Sequence, residues 1–249
     1  MSGTRPADAD ALRTSAYYDR IARAYDDQVD GIAINRTMRD AFRARVSALA
    51  GPTGRVLDFG CGTGTDAEWY AAQGHQVIAY DISPGMVDVL RTRYAGAIAE
   101  GRIVPLVGGP SDFARAMQDV APLDVIAANF GVLNHVEDLR PLLAHLASHL
   151  LPGGALVASL LNPLYKGQMR WRGWWRTQVA GQWRGGVTLR GDVTTHRPYL
   201  HTLRRMAGPP LALVEVGHVD EDGRWSSASI PWRRQLQEQF HFVVLRSVA

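Results

Sequence analysis

Residues 55–66 read RVLDFGCGTGTD, and this run decides the fold. Val56 and Leu57 form an apolar, β-prone stretch, Asp58 follows, and glycines fall at Gly60, Gly62 and Gly64 before the helix-compatible DAEWYAAQ. A glycine-rich turn between a buried strand and a helix brings bare backbone to a ligand, because no Cβ intervenes and positive φ costs glycine little. Thr65 stands where the dinucleotide fingerprint GxGxxG wants its third glycine, which argues against a bound pyrophosphate. No lysine follows, so the run is not a triphosphatase phosphate loop. Asp81 ends the next apolar run, QVIAYD, where its carboxylate is placed to accept from both ribose hydroxyls of a nucleoside. The two features together point to a nucleoside ligand without a diphosphate.

Outward from this turn, RIVPLVG, LDVIAAN and ALVASLL repeat the continuous apolar pattern, with helix-compatible segments between them. That alternation predicts a doubly wound parallel sheet, which binds ligands at the carboxyl ends of its strands. Asp58, Asp81, Gly108 to Asp112 and Asn129 to Asn134 fall at those ends. YLHTLRRMA reads as the last helix, LALVEVGHV as a sixth strand and QFHFVVLRS as a seventh, with Asp220 to Gln235 as a loop at one edge. At the other terminus, Met1 to Asp10 reads as a disordered tail. From Leu12 a helical spacing puts Tyr18, Ile21 and Tyr25 on one face, and a second helix spans Arg36 to Leu49.

The runs VLDFGCGTG, AYDIS, DVIAANFGVLNHV and LLPGGALVASLL together resemble the S-adenosylmethionine-binding core of the class I methyltransferases, over roughly Tyr17 to Leu161. The resemblance implies an α/β, Rossmann-like fold: a seven-stranded, mostly parallel sheet with an antiparallel last strand and helices on both faces. It implies S-adenosyl-L-methionine as cofactor, S-adenosyl-L-homocysteine as product, and methyl transfer to a small molecule. It assigns cofactor contacts to Asp58, Gly60, Cys61, Gly62 and Gly64, to Asp81, Ile82 and Met86, to Ser111 and Asp112 at the adenine edge, and to Asn129, Phe130 and Gly131. YYDRIARAYD resembles the segment that lids the cofactor in small-molecule members, which brings Tyr25 to the methionine end and puts Tyr18 with Asn134 on the acceptor side. The expected organisation is a tail with lid helices at 1–50, the cofactor core at 51–161, an insertion at 162–198 and the rest of the sheet at 199–249.

Each residue also has a purely structural reading. Asp58 ties down the glycine turn, Ser111 and Asp112 cap the helix SDFARAMQ, and Cys61 is inert, with nothing nearby to activate a thiolate. His135 stands open between a base for the acceptor's O–H or N–H and a packing residue in LNHVEDL. The fourth-strand exit lacks the Asn/Asp-Pro-Pro-aromatic signature of exocyclic-amine methyltransferases. Glu137 and Asp138 suit the positive end of the following helix better than a metal, and no metal is expected.

After Asn162 the chain departs from the family core. From Pro163 to Pro198 the cations Lys166, Arg170, Arg172, Arg176, Arg184, Arg190 and Arg197 face one acid, Asp192, while Trp171, Trp174, Trp175 and Trp183 lie among them. A segment of this kind suits four roles: a cover for an aromatic or acidic acceptor touching Trp171, Trp174 and Trp175, a membrane-surface patch for a lipid-linked acceptor, an RNA contact, or a packed hairpin. A non-catalytic cofactor-binding scaffold is the alternative to an enzyme.

The bounds agree. A chain of 249 residues, 46% hydrophobic and 20% charged, suits one α/β domain with an insertion. The net charge of +3 is too small to argue for nucleic acid. One cysteine excludes an internal disulfide, the N-terminal run has no signal-like apolar core, and the cytoplasm is the expected location.

Overall fold

The computed structural model describes residues 6–169, 187–190, 193–229 and 231–248. Five parallel strands carry the first half: β1 (Arg55–Phe59), β2 (Gln76–Asp81), β3 (Ile103–Val107), β4 (Leu123–Ala128) and β5 (Leu150–Leu161). Among the described residues the sheet continues with β8 (Leu211–Val219), β9 (Trp225–Ser226) and β10 (Phe240–Ser247), in the order β3-β2-β1-β4-β5-β10-β8-β9. β10 enters antiparallel between β5 and β8, pairing Phe242 with Ser159 on one side and Gly217 on the other.

The strands are apolar on both faces because helices cover both. Val56, Val125 and Ala127 pack with Phe42, Val46 and Tyr70, while Leu57, Ile126 and Leu156 pack with Leu139, Leu143 and Leu203. The first layer comes from α3 (Ala33–Ala50) and α4 (Thr65–Ala72), the second from α8 (Leu139–Ala147) and α10 (Leu200–Ala207). Each fully buried large apolar side chain stabilises the fold by ~1.5–3 kcal/mol, so the sheet forms a rigid platform. Strand order reverses at β1, between β2 and β4, and the crevice at their carboxyl ends is where such sheets hold ligands.

Among the described residues the remaining helices are α1 (Pro6–Ile21), α2 (Tyr25–Asp30), α5 (Pro84–Arg93), α6 (Ala95–Ala99), α7 (Pro110–Ala116), α9 (Lys166–Met169) and α11 (Trp232–Gln235). Outside the main sheet, β6 (Val187–Arg190) and β7 (Val193–His196) form an antiparallel hairpin.

Four expectations change. The tail is helical from Pro6, since proline suits the first turn and the Ala/Asp run that follows favours a helix start. The single helix expected through Tyr25 is broken by a 3-10 turn at Ala22–Ala24, which re-aims Tyr25. The sheet has eight strands rather than seven, because Trp225–Ser226 in the expected edge loop pairs with His218 and Val219. The same loop closes on α11. Among the described residues no helix is long and apolar enough to cross a membrane.

Candidate active site

The crevice floor is the glycine turn, and Asp81 holds it. Its Oδ2 accepts from Gly62 N at 2.8 Å and its Oδ1 from Ser83 N at 2.8 Å, so one carboxylate joins the two turns that follow β1 and β2. Asp81 is buried, and burial pushes its carboxyl up to about 6 against the pull of those backbone donors. Glycine is required at two points. A Cβ on Gly60, at φ +78°, would lie 2.0 Å from Val132 Cγ2, and one on Gly62, at φ +54°, would project between Tyr25 and Met86. Met86 is buried on α5, and the Ile82 carbonyl accepts from Ser15 on α1.

Behind the floor lies an ionic cluster. Asp66, in the first turn of α4, accepts from Arg39 Nη1 at 3.0 Å, Arg43 Nε at 2.6 Å and Asn129 Nδ2 at 3.1 Å. Burial opposes its ionisation, yet the two arginines outweigh it and hold the carboxyl below the usual range. Asp58, one residue before the end of β1, has the opposite balance: burial, then the charge of Asp66, raises it well above the usual range. Its Oδ2 and the Nε of Arg39 are buried without a hydrogen-bond partner. Both residues line the cleft over the glycine turn.

The exit of β4 is strained. Phe130 holds φ +51° and Gly131 φ +73°, and a non-glycine residue in that region costs about 1–3 kcal/mol. The Arg39 guanidinium lies 4.7 Å from the Phe130 ring centroid, and Asn129 Oδ1 accepts from Phe130 N at 2.8 Å. Asn134 is fully buried, its amide donating to the His196 carbonyl at 2.5 Å and accepting from Leu161 N at 2.9 Å. It joins β5 to β7, and both ends of its amide are engaged by backbone.

The N-terminal segment covers the cleft and is latched at two aspartates. Asp19 Oδ1 accepts from Ser83 Oγ at 2.6 Å and Gly85 N at 2.7 Å, at the start of α5. Asp26 accepts from Thr63 Oγ1 at 2.6 Å and pairs with Arg93. Three rings follow in edge-on contact: Tyr25 to Tyr18 at 6.1 Å between centroids, then Tyr18 to His135 at 5.6 Å. Tyr18 Oη lies 3.0 Å from His135 Nε2, and His135 Nδ1 lies 3.4 Å from the Thr194 carbonyl of β7. Burial, then Asp81 and Tyr17, raises the Tyr18 phenol, and burial lowers His135. Beside Tyr25 and Asp26 of this segment the cleft over the glycine turn encloses about 30 Å³.

The other predicted residues sort as follows. Gly60, Cys61, Gly62, Asp58, Asn129, Phe130 and Tyr25 line one crevice, with Asp81 hydrogen-bonded to Gly62 beneath it and Cys61 buried, its thiol raised by that burial. Gly64 caps α4, with φ +85°. Ser111 and Asp112 are exposed in α7 and neither is its N-cap; Gly109 is, and Asp112 Oδ2 accepts from Gly109 N at 3.2 Å. Asp138 caps α8 through Arg140 N, and Glu137 precedes that helix. Trp171, Trp174, Trp175 and Trp183 lie outside the described residues. The sequence reading missed Arg39, Arg43, Asp66, Asp19 and Asp26. Arg39 and Arg43 had a signal, since they flank Phe42 on a face otherwise made of Met38 and Val46.

Comparison with known proteins sharpens the picture. The family described as methyltransferase domain matches residues 33–191. The chain is 33% identical over 147 residues to a demethylmenaquinone methyltransferase of Clavibacter sepedonicus, covering 58% of this chain and 56% of that protein. It is 35% identical over 120 residues to a ubiquinone biosynthesis O-methyltransferase of Xanthomonas axonopodis pv. citri, covering 47% of each. The chain thus spans about half the length of these curated relatives. Among solved structures it superposes, with a TM-score of 0.62 and 19% identity, on a Burkholderia thailandensis 1,6-didemethyltoxoflavin-N1-methyltransferase, covering 97% of this chain and 89% of that one. With a family match over more than half its length, and with the fold and glycine turn above, the chain belongs to the class I S-adenosylmethionine-dependent methyltransferases.

Proposed function

We propose that this chain transfers the methyl group of S-adenosylmethionine to the oxygen or nitrogen of a small ring-bearing molecule. The observation that carries the reading is the pair of unpartnered buried atoms on two cleft residues, Asp58 Oδ2 and Arg39 Nε. Unpaired buried polar groups of opposite kind are expensive unless a ligand meets them, and an α-amino acid end answers both, its ammonium at Asp58 and its carboxylate at Arg39. Asp81 keeps acceptor capacity for ribose hydroxyls after its backbone bonds, since a carboxylate offers about four positions. Tyr25 and Phe130 wall the sulfur-bearing middle, and exposed Ser111 and Asp112 remain candidates for the adenine edge.

When bound, the cofactor supplies a sulfonium whose methyl is already electrophilic. The chain's own contribution is then mostly positioning, which is worth on the order of 7–11 kcal/mol, with a base adding roughly 10²–10⁴-fold. The ring-shaped acceptor is supported by the cleft-lining rings of Tyr25 and Phe130, by Tyr18 and His135 in edge-on sequence from Tyr25, and by the quinone names of the curated relatives.

The test combines calorimetry with S-adenosylhomocysteine and methyl-labelled S-adenosylmethionine offered with soluble catechols, naphthohydroquinones and N-heterocycles. Binding together with label in an extractable product is expected. Binding with no labelled product from any of the three classes would favour the scaffold instead.

A further inference from the structure

We propose that Tyr18 is the catalytic residue that meets the acceptor, and that His135 stands behind it as a positioning residue and proton sink. The inference rests on the methyl-transfer reading and deepens it. The Thr194 carbonyl can only accept, so His135 Nδ1, 3.4 Å away, carries the ring proton. Nε2 is then the basic nitrogen, and the Tyr18 hydroxyl at 3.0 Å donates to it. The imidazole lone pair is thereby occupied, and an acceptor proton has no direct route to it. The Tyr18 oxygen has lone pairs of its own to receive that proton, and its ring continues the line from Tyr25 over the glycine turn to His135.

The step balances as follows. The acceptor oxygen or nitrogen forms its bond to the methyl carbon while the carbon–sulfur bond breaks, its electron pair staying on sulfur. The acceptor's proton passes to Tyr18 Oη as the Tyr18 proton passes to His135 Nε2, leaving a neutral phenol and an imidazolium that keeps Nδ1–H on Thr194. The imidazolium later returns its extra proton to solvent. The groups facing this pair are Tyr17 on α1, Asp81 on β2 and His196 on β7. Burial disfavours both a free phenolate and a standing imidazolium, which suits a proton that moves through the pair rather than resting in it.

This differs sharply from a direct histidine base. If His135 took the proton itself, Tyr18→Phe would free Nε2 and preserve turnover. The relay predicts instead that Tyr18→Phe and His135→Asn each lower kcat by roughly 10²–10⁴-fold, that the double variant is no worse than either, and that both lose the acid limb of the kcat/KM profile while S-adenosylhomocysteine affinity stays unchanged. A readout without turnover uses imidazole ¹⁵N NMR on the S-adenosylhomocysteine-bound protein. His135 should show the Nδ1–H tautomer, and Tyr18→Phe should raise its pKa by removing a bond that favours the neutral ring. Finding the Nε2–H tautomer, an unmoved His135 pKa in Tyr18→Phe, or wild-type turnover in that variant would overturn the relay. Because the NMR arm needs no acceptor, it can overturn the relay even where no methylated product is found.

Discussion

The two halves of the cleft are built by different means. The proposed cofactor half grows from strand ends of one parallel sheet, where a packed core delivers Asp58, Asp81 and Asn129, with Asn129 braced by Asp66 and Asp81 by the Gly62 and Ser83 amides. The proposed acceptor half is assembled from remote pieces: Tyr18 comes from the N-terminal helix, His135 from the turn after β4, and Thr194 from the hairpin. One half is a fixture of the platform. The other exists only while separate elements stay docked, so damage to the two halves should look different.

The largest effect is expected at the brace. Asp66→Ala leaves Arg39 and Arg43 buried without their shared carboxylate, and stranding buried charge typically costs about 3–5 kcal/mol, which denaturant unfolding measures. A loss below about 1 kcal/mol would mean the cluster is a solvated surface network instead.

Next comes Asp81→Ala. Charge-assisted hydrogen bonds of ~1.5–3 kcal/mol each predict that S-adenosylhomocysteine affinity falls on the order of a hundredfold while the sheet stays folded, with the near-UV spectrum unchanged. Unchanged affinity in the folded variant would remove Asp81 from the ribose.

The same carboxyl sets two opposite pH trends. The folded protein holds the Asp81 proton up to about pH 6, whereas an unfolded aspartate releases it near ~4, so the free protein loses stability as pH rises through that window. Ligand hydroxyls pair best with the ionised form, so affinity falls as pH drops below about 6. Thermal unfolding at several pH values, with and without ligand, should show the gap between the two curves widening as pH rises through about 6, and parallel curves would break the assignment.

The smallest effect belongs to the latch. Asp19→Ala should change global stability by no more than about 1–2 kcal/mol, yet speed amide exchange across α1 ahead of the sheet and shorten ligand residence. Exchange that accelerates equally in β1 and β4 would show that latch and platform are one unit.

The same contrast explains what the sequence revealed. Strands β1 to β5 were legible because a sheet covered on both faces needs unbroken apolar runs, and the glycine spacing marked the turn that ends the first of them. The brace was only half legible. Arg39 and Arg43 sit on an apolar helix face, but nothing in the sequence names Asp66 as their partner, and only the fold brings them together across 23 to 27 residues. The hairpin carried a missed signal, the dipeptide Gly191-Asp192 between β-branched runs VTLR and VTTH. Asn134 carried a second role the sequence did not show: a polar side chain at a strand exit suggested a ligand, and the structure has it fastening the backbone of β5 and β7. Ser111 and Asp112 were placed one step late, since the helix they were expected to cap begins at Pro110 with Gly109 before it.

Tyr18 and Asp19 are adjacent on one helix, so the phenol and the latch cannot move separately. Under the proposed relay, a lid that lifts to admit a nucleoside would carry the Tyr18 hydroxyl away from His135 in the same motion. Loading and proton transfer would then belong to different positions of one helix, and closure would work as a safety interlock: the contact that moves the proton would be completed by the same movement that seals the chamber.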